Sequence, residues 1–436
     1  DVAVIGAGIA GILTAYLLQK QGVNVVVLEA KTIGSGQTGK TTAKVTSQHN
    51  LIYHKLVSSL GTEQAKLYAD ANQEAIGMYR NLAKRCTDAV AFEEKENILY
   101  AVQNADAIEK EVKAMQQLGL KADLITQTEL PFPVAAAVSL EGQAQFQPLA
   151  FLKEISSDLT ICEHTMVQNI VDQIVKTKQG NITAKRIVIA THYPFINIPG
   201  YYFLRQHQER SYVLALKNAP QYRGMYLGVD EPSYSFRNAG EYLLFGGASH
   251  RTGENRCGGH YDTLRKAAHQ FYPTAQETAC WSAQDCMTID HIPYIGPYAF
   301  GMEGVYVATG FQKWGMTSSM VSAMILSDLI LEKDNPYLPV FTPHRMHIGL
   351  SVKQAVKDTV HSIRGLTAGF MAPPRAMVEQ LPKGHGGIVE VENKKVGVYK
   401  DENGTSHIVQ ARCTHLGCQL EWNPDEKSWE CPCHGS

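Results

Sequence analysis

The sequence predicts a mixed α/β (α+β) fold. We expect a doubly wound dinucleotide-binding unit, an antiparallel sheet facing it, and a small all-β domain near the C-terminal end. Two observations carry this prediction. The first residues form an apolar strand that runs into a glycine-rich turn, and the last two dozen residues place cysteine and histidine at fixed spacings. At 436 residues, the chain is long enough for two to three domains.

The N-terminal strand leads into the fingerprint Gly6-x-Gly8-x-x-Gly11. Gly6 permits a tight turn, Gly8 lets the backbone approach a pyrophosphate, and Gly11 allows a helix to pack closely on the strand. The next strand ends in Glu29, whose carboxylate can accept both hydroxyls of a ribose. The complete strand–helix–strand frame predicts a dinucleotide site, with the pyrophosphate at the N-terminus of the first helix.

A second glycine-rich stretch allows another interpretation. Residues 34–41 satisfy G-x-x-x-x-G-K-[ST], the phosphate-binding loop of nucleoside triphosphatases. Against an ATPase, the preceding strand already belongs to the dinucleotide fold. We also find no later apolar strand ending in the Asp that would help to hold magnesium. In the dinucleotide interpretation, this loop wraps the cofactor through Ser35, Thr41, Thr42 and Lys44.

Two later strands also end in small residues. One ends at Ala190-Thr191, and the other ends at Thr309-Gly310 and precedes a helix predicted from about Ser318. A second helix N-terminus aimed at the cofactor suits the pyrimidine end of a reduced flavin, which becomes anionic. NAD and FAD share the first fingerprint, but only one such fingerprint occurs, so the sequence shows no separate nicotinamide domain.

The C-terminal residues contain a C-x-H pair and a C-x-x-H pair. Each loop offers one thiolate and one imidazole, which is what a Rieske [2Fe–2S] centre needs. A structural zinc site usually has two cysteines followed by two histidines, so zinc is the weaker alternative. The predicted metal ligands are Cys413, His415, Cys431 and His434. An iron–sulfur centre handles single electrons, and this favours FAD, because a flavin takes two electrons and releases them singly.

These motifs carry a resemblance to known families. Residues 1 to about 345 resemble the D-amino-acid-oxidase-like (DAO) family of FAD-dependent oxidoreductases, through the stretches above and Thr288-Ile-Asp-His-Ile-Pro-Tyr-Ile-Gly296. The last residues resemble the Rieske proteins of respiratory complexes, and the whole chain resembles bacterial FAD-dependent oxidoreductases that carry a Rieske domain. The resemblance implies a Cys418–Cys433 disulfide between the two ligand loops. It also implies that Ser436 donates a hydrogen bond to a bridging sulfide.

The resemblance and the pattern changes along the chain give a domain plan. We expect FAD-binding segments at about 1–85, 145–200 and 285–345, with the substrate-facing layer at about 86–144 and 201–284. A linker helix and a proline-containing linker follow at 346–380. The Rieske domain is expected at 381–436 and to be incomplete at its C-terminal end. The predicted FAD contacts are Gly6, Gly8, Gly11, Glu29, Ser35, Thr41, Thr42, Lys44, Val167, Ala190, Thr191, Gly310, Gly315, Met316 and Thr317.

The substrate is less well specified. Amino-acid-oxidising members of the family hold an Arg for the substrate carboxylate shortly before the T-x-D-x-x-P segment, and Asp285 lies near that place. An acidic group there would repel a carboxylate and suit a cationic amine; alternatively, it only hydrogen-bonds a turn. Lys313 and Trp314 should lie near the flavin, where Lys313 either stabilises the anionic reduced form or is solvated. His49 is a weaker candidate for a covalent flavin link.

Composition limits the remaining choices. A formal net charge of −2 argues against general nucleic-acid binding. No apolar run approaches the length of a transmembrane helix. The five other cysteines lack metal-like spacing and are expected to be reduced, which agrees with a cytoplasmic protein. They are Cys86, Cys162, Cys257, Cys280 and Cys286.

Taken together, the sequence predicts an FAD-dependent dehydrogenase. It would oxidise a small amine and pass electrons singly through the cluster to an external acceptor, either a protein or a quinone. Three alternatives remain open. One is an oxygen-using flavin oxidase with the Rieske domain as a redox sensor or docking module, and another is a non-catalytic FAD-binding partner protein. The last is the ATPase suggested by residues 34–41, which nucleotide-dependent phosphate release would reveal.

Overall fold

The computed structural model describes residues 1–255, 257–345, 381–391, 394–414, 417–433 and 435. The predicted linker at 346–380 therefore lies outside the described residues. So do two of the predicted cluster ligands, His415 and His434, and the predicted hydrogen-bond donor Ser436. Among the described helices, none is long and apolar enough to cross a membrane.

A six-stranded sheet organises the N-terminal part of the fold. Its strands are parallel except for one edge strand, which pairs antiparallel. Val4 lies opposite Val27 on one side and Val188 on the other. Both faces of this sheet are covered, which explains the nearly continuous apolar runs. In spatial order the strands are β17 (Tyr294–Pro297), β18 (Val305–Thr309), β11 (Arg186–Ile189), β1 (Val2–Ile5), β2 (Val25–Leu28) and β7 (Thr160–Cys162).

Helices cover one face of this sheet. The central pair is α1 (Ile9–Lys20) and α7 (Gly315–Ile330), and α5 (Pro148–Ile155) packs beside α1. Helix α7 begins three residues before the predicted start. The remaining described helices are α2 (Tyr53–Leu60), α3 (Thr62–Ala83), α4 (Ala105–Gln117), α6 (His260–Phe271) and α8 (Leu338–Phe341).

A small antiparallel sheet covers the opposite face. Its strands are β8 (Val167–Val171), β9 (Ile174–Thr177) and β10 (Asn181–Thr183). Val167, Ile170 and Val175 are buried against Ile5 and Ile189 of the parallel sheet. The predicted mixed α/β class is confirmed, although an antiparallel sheet takes the place of a second helical layer here.

A nine-stranded sheet forms the second layer. It is antiparallel apart from one parallel pair, β4 (Glu93–Ala101) with β13 (Met225–Gly228). In the long pairing of β12 (Gln206–Lys217) with β16 (Gln276–Thr288), Glu209 lies directly opposite Asp285. Its strands, in spatial order, are β16 (Gln276–Thr288), β12 (Gln206–Lys217), β15 (Tyr242–Arg251), β14 (Ser235–Ala239), β13 (Met225–Gly228), β4 (Glu93–Ala101), β6 (Ala136–Gln145) and β3 (Lys44–Val45), with β5 (Ala122–Ile125) also paired to β6.

The C-terminal domain is all-β, as predicted. Three antiparallel strands, β19 (His385–Val391), β20 (Lys394–Lys400) and β21 (Ser406–Val409), precede the hairpin of β22 (Glu421–Asn423) and β23 (Ser428–Glu430). The ring of Trp422 stacks on Tyr399 with centroids 4.9 Å apart. The two cysteine-containing loops flank the hairpin and are held by it.

Candidate cofactor and substrate site

A cavity of about 800 Å³ opens at the carboxyl ends of β1, β2, β11 and β18 and extends to the nine-stranded sheet. Ligands of open α/β folds bind at this edge, because the loops and helix N-termini meet there. Residues 34–41, which match the phosphate-binding-loop pattern, line the same cavity beside Gly6 and Gly8. The structure thus brings both glycine-rich stretches to one site.

The fingerprint glycines leave no room for larger residues. A Cβ added at Gly6 would lie 2.6 Å from the carbonyl oxygen of Ala190, and one added at Gly11 would overlap the carbonyl oxygen of Gly6. Gly6 also has a φ of 106°, in the region that favours glycine. These contacts bring the turn, the helix and a neighbouring strand close together, as a backbone cradle for a dinucleotide requires.

Glu29 is fixed at the end of β2. Its two carboxylate oxygens accept hydrogen bonds from the backbone N–H groups of Ala7 and Lys31, each at 2.8 Å. The residue also lines the cavity. This is the position from which a carboxylate can bind ribose hydroxyls.

Two helices point their N-termini into the cavity. Gly8 caps α1 and Trp314 caps α7, and neither cap makes a side-chain hydrogen bond to its helix. Neither helix has an acidic residue in its first turn. The N–H of Ile9 in α1 donates to the hydroxyl of Thr38 at 3.0 Å. No acidic side chain neutralises the partial positive charge at either end, so both ends favour negative groups. The donor set fits a dinucleotide with an anionic pyrophosphate and a second anionic end.

The structure places most of the predicted residues at this cavity. Gly11 does not line it, because it packs behind the turn, and Thr317 lies behind Trp314, where it donates a hydrogen bond to the carbonyl oxygen of Thr46 at 3.0 Å. The predicted residues that line the cavity are Gly6, Gly8, Glu29, Ser35, Thr41, Thr42, Lys44, Val167, Ala190, Thr191, Asp285, Gly310, Lys313, Trp314, Gly315 and Met316.

His49 lies in a packed polar cluster. Its ring stacks on Trp314 with centroids 5.0 Å apart, and its Nδ1 is 2.6 Å from the hydroxyl of Tyr68. Burial lowers the pKa of His49 to about 3, so the imidazole is neutral. His49 supports the base of α7 from behind Trp314, and it is absent from the described cavity lining.

One wall of the cavity carries a cluster of charged and hydroxyl groups. The Nζ of Lys313 lies 3.3 Å from an Oε of Glu209 and donates to the hydroxyl of Ser249 at 2.8 Å. The hydroxyls of Ser211 and Ser249 are 3.0 Å apart. Asp285 completes this wall. Lys313, predicted to be either a flavin partner or solvated, is thus paired with Glu209.

The two carboxyl groups of this wall differ in acidity. Burial raises the pKa of Asp285 to about 7, and the charge of Lys313 only partly opposes this effect. Burial also opposes ionisation of Glu209, but the hydrogen bond from His207 and the charge of Lys313 outweigh it and lower its pKa to about 2. The wall therefore holds one carboxylate and one carboxyl that titrates near neutrality.

Lys44 occupies another part of the cavity. Its Nζ donates to the carbonyl oxygen of Tyr226 at 2.7 Å and to the hydroxyl of Ser235 at 2.6 Å. Burial, together with the charge of Arg237, lowers the pKa of Lys44 to about 7. The amine of Lys44, which lies on the edge strand β3, is thus directed toward β13 and β14 of the same sheet.

The two cysteine loops of the C-terminal domain have matching turns. The N–H of Gly417 donates to the carbonyl oxygen of Cys413 at 2.9 Å, and the N–H of Gly435 donates to that of Cys431 at 2.8 Å. Both glycines have positive φ, at 73° and 70°. Cys413 and Cys431 are buried. Two buried thiols in equivalent turns fit a cluster held by one thiolate from each loop.

The predicted disulfide is wrong for this structure. The sulfurs of Cys418 and Cys433 are 2.9 Å apart, which is a hydrogen-bonding distance, whereas a disulfide bond is about 2.05 Å long. Both cysteines are free. The sulfur of Cys431, a predicted cluster ligand, lies beside them, and the three sulfurs are within 4.8 Å of one another. The two loops are close, as the prediction required, but they are not covalently joined.

The loop that contains Cys431 packs on the nine-stranded sheet. Gly253, which follows β15, has a φ of 82°, and a Cβ added there would overlap Pro432. The N–H of Gly253 donates to Glu430 at 3.2 Å. Arg210 of β12 forms a buried ion pair with Glu430, with nitrogen and oxygen 2.6 Å apart. These contacts dock the loop that contains Cys431 against the sheet that walls the cavity.

Gln284 bridges the loop that contains Cys431 and the cavity. Gln284 lines the cavity, and its backbone N–H donates to the side chain of Gln37 at 3.0 Å. Its side-chain amide donates to the carbonyl oxygen of Gly435 at 3.1 Å. Tyr193, another lining residue, has its pKa raised mainly by burial and further by Cys431 and Cys433. The loop that contains Cys431 therefore adjoins the cavity.

Sequence reasoning missed several residues of this arrangement. Glu209, Arg210, Gly253 and Gln284 carry no local motif, and Glu430, which contacts both Arg210 and Gly253, lies more than 170 residues away from each along the chain. Strand alternation places such residues on one face of a sheet. It does not say which strand lies beside them.

A dinucleotide cavity with two helix N-termini, walled by a large sheet and adjoined by one of two matching buried cysteine turns, defines a flavoprotein with an iron–sulfur domain. The chain belongs to the DAO family of FAD-dependent oxidoreductases, whose model matches residues 1–329. Residues 373–436 match the Rieske [2Fe-2S] domain. It is thus an FAD-dependent oxidoreductase that also binds a [2Fe–2S] cluster, as predicted.

Known proteins share these features in whole or in part. YhfW of Bacillus subtilis, named provisionally as a Rieske 2Fe-2S iron-sulfur protein, is 38% identical over 100% of this chain and 89% of its own. Gamma-glutamylputrescine oxidoreductase of Escherichia coli is 25% identical over 44% of this chain and 48% of its own. The structure of glycine oxidase from Geobacillus kaustophilus superposes with a TM-score of 0.67 at 20% identity, covering 79% of this chain and 98% of that one.

Proposed function

We propose that this protein is a dehydrogenase that oxidises the CH–NH group of a small cationic amine. The electrons would then pass singly to the Rieske cluster and on to an external one-electron acceptor. The observation that supports this route is the docking of the Cys431 loop on the cavity wall, through Arg210, Gly253 and Gln284. Electron transfer weakens steeply with distance, so this adjacency within one chain favours a direct relay.

The residues divide into two groups by role. When bound, FAD supplies hydride acceptance, and the [2Fe–2S] cluster supplies one-electron transfer. The N-termini of α1 and α7 would bind the anionic parts of FAD, and Glu29 would bind its ribose. Cys413 and Cys431 would hold the cluster together with His415 and His434. We also propose that the domain boundaries follow the sequence plan, with the FAD-binding part at 1–345 and the Rieske domain at 381–436.

The amine class is supported by the charges on the cavity wall and by one relative. Among the described residues, Lys313 is the lysine paired with this wall, where Glu209 and Asp285 lie opposite each other. A second cation would balance the remaining carboxylate, whereas a substrate carboxylate would be repelled. Gamma-glutamylputrescine oxidoreductase, a partial relative, is named for an amine substrate. Lys313 and Trp314 would help to shape the site next to the flavin.

Anaerobic mixing with candidate substrates tests the proposal. A panel of primary amines and diamines should bleach the flavin absorbance, and a Rieske-type EPR signal should then rise. Glycine and ordinary D-amino acids should bleach it at least tenfold more slowly, because their carboxylates meet Asp285 and Glu209. Fast formation of hydrogen peroxide in air, unchanged when the cluster is absent, would instead identify an oxidase.

The fingerprint turn gives a prediction for cofactor binding. In Gly11→Ala, the new methyl group overlaps the carbonyl oxygen of Gly6, so the turn must move away from the pyrophosphate. We expect about 1–3 kcal/mol of lost stability and weaker retention of FAD, measured by thermal unfolding and by the ratio of flavin to protein. Gly77→Ala is the control. Gly77 lies within α3 with open space around its Cα, so this change should be neutral or slightly stabilising. Equal FAD content in both variants would contradict the assigned cradle.

A further inference from the structure

The charged wall of the cavity leaves one carboxyl group without a cation. The ammonium group of Lys313 contacts Glu209 and Ser249. In the part of the chain that the structure describes, no ion pair within 4 Å includes Asp285. Its hydrogen-bonding partner is the hydroxyl of Ser211. Asp285 is half-buried and faces the cavity, so a ligand can reach it.

The strand register keeps this carboxyl group close to another one. Glu209 and Asp285 lie directly opposite each other on β12 and β16, and both line the cavity. Opposed side chains of neighbouring strands project from the same face, at close range. Since Glu209 already binds Lys313, ionisation of Asp285 adds a second negative charge beside one cation. A positively charged ligand next to Asp285 would relieve this repulsion.

We propose that Asp285 accepts a proton from the ammonium group of the substrate and so prepares the amine for oxidation. This inference rests on the proposed amine dehydrogenase. The substrate R₂CH–NH₃⁺ transfers one N–H proton to the carboxylate, giving R₂CH–NH₂ and the neutral Asp285 side chain. The C–H bond then breaks, its electron pair leaves as hydride to the flavin, and the nitrogen lone pair forms the C=N bond of an iminium ion.

The free amine is needed because an ammonium nitrogen has no lone pair to form that bond. Alkylammonium groups have pKa values near 10, so only about one molecule in a thousand is neutral at pH 7 in water. A carboxylate in the cavity first attracts the ammonium group and then removes its proton. Burial is the main cause of the raised pKa of Asp285, and Lys313, Glu209 and Ser211 modify it. The thiol of Cys286 is its neighbour along the strand.

The pH dependence follows from this role. The raised pKa of Asp285, about 7, means that the carboxylate form is lost as the pH falls below 7. We expect kcat/KM for a primary amine to fall about tenfold per pH unit below pH 6 and to level off above pH 7.5. In Asp285→Asn, the limb near pH 7 should disappear. At pH 7, kcat/KM of this variant should be about 100-fold lower than that of the parent. It should then increase with pH up to the pKa of the substrate.

A binding measurement provides a second readout that needs no turnover. tert-Butylamine has no hydrogen on the carbon next to nitrogen, so a flavin cannot oxidise it. Calorimetry of the FAD-loaded protein in buffers of different ionisation enthalpy should show about one proton released per tert-butylammonium bound at pH 6, and none at pH 8.5. In Asp285→Asn this pH dependence should disappear, so that the number of protons released is the same at pH 6 and pH 8.5. Glu277→Gln, a change on the same strand at a carboxylate paired with Arg265, should behave like the parent.

The outcomes separate this inference from the proposed function. If primary amines are oxidised and Asp285→Asn keeps the limb near pH 7, Asp285 is not the proton acceptor, although the proposed function stands. If no amine is oxidised, the proposed function falls, and the role of Asp285 in catalysis falls with it. Absence of proton release from the parent protein at pH 6 would show that Asp285 does not bind the ammonium group.

Discussion

Replacing Cys431 by serine is expected to stop electron delivery while leaving amine oxidation at the flavin intact. The serine hydroxyl is a poor ligand for the cluster iron, so the [2Fe–2S] centre should be lost or strongly altered. Reduction of cytochrome c by the amine should fall at least 100-fold, and anaerobic bleaching of the flavin should change less than twofold. Three quantities are measured: the cluster content by iron analysis and EPR, and the rates of cytochrome c reduction and flavin bleaching by stopped-flow absorbance.

Two further variants make this result interpretable. Cys413→Ser removes the equivalent thiol from the other loop and should give the same pattern, so the effect does not depend on the packing of Cys431 alone. Cys280→Ser changes an exposed cysteine and should leave all three quantities unchanged. Full cytochrome c reduction by a cluster-free variant would show that electrons leave the flavin directly.

The second large effect is expected at Gly253, where the loop that contains Cys431 packs on the nine-stranded sheet. In Gly253→Val, the side chain overlaps Pro432, so the loop cannot keep its position beside Gln284. FAD should still bind, because Gly253 is not part of the described cavity lining. Since the added Cβ also lies 2.9 Å from the backbone of Cys431, transfer is compared only in protein whose iron content shows an intact cluster. Transfer between flavin and cluster should slow more than tenfold, measured by rapid-freeze EPR after anaerobic mixing with the amine.

The control for this variant separates docking from backbone strain. Gly142 also has a positive φ, 71°, but no heavy atom lies within 4 Å of its added Cβ. Gly142→Val therefore carries a similar backbone cost, of the order of 1–2 kcal/mol, without a clash at the docking contact. It should keep the parental transfer rate. If Gly253→Val also transfers at the parental rate, the docked arrangement is not the one that conducts electrons.

The features that could be predicted from the sequence are those that depend on residues close together in the chain. The strand, the turn and the start of α1 are all encoded within the first dozen residues, and Glu29 follows at the end of the next strand. The two cysteine loops are likewise short, and the structure shows equivalent turns at Cys413 and Cys431. The histidine ligands in the same motifs lie outside the described residues and stay predictions.

The features that sequence could not predict depend on contacts between distant segments. Glu209 meets Lys313 because of the register of β12 with β16 and the position of the loop before α7. Arg210 meets Glu430 because one domain docks on another. The disulfide prediction failed for a related reason. Motif spacing brought Cys418 and Cys433 together, but only the local geometry decides whether their sulfurs bond.

The central claim is that electrons taken from an amine reach the cluster within one chain. Rapid-freeze EPR of the anaerobic protein, mixed with a primary amine at several protein concentrations, tests it most directly. We expect the Rieske signal to rise after the flavin bleaches, with a rate constant that does not change with protein concentration. A cluster that stays oxidised while the flavin is fully reduced, or a rate that scales with protein concentration, would contradict the account.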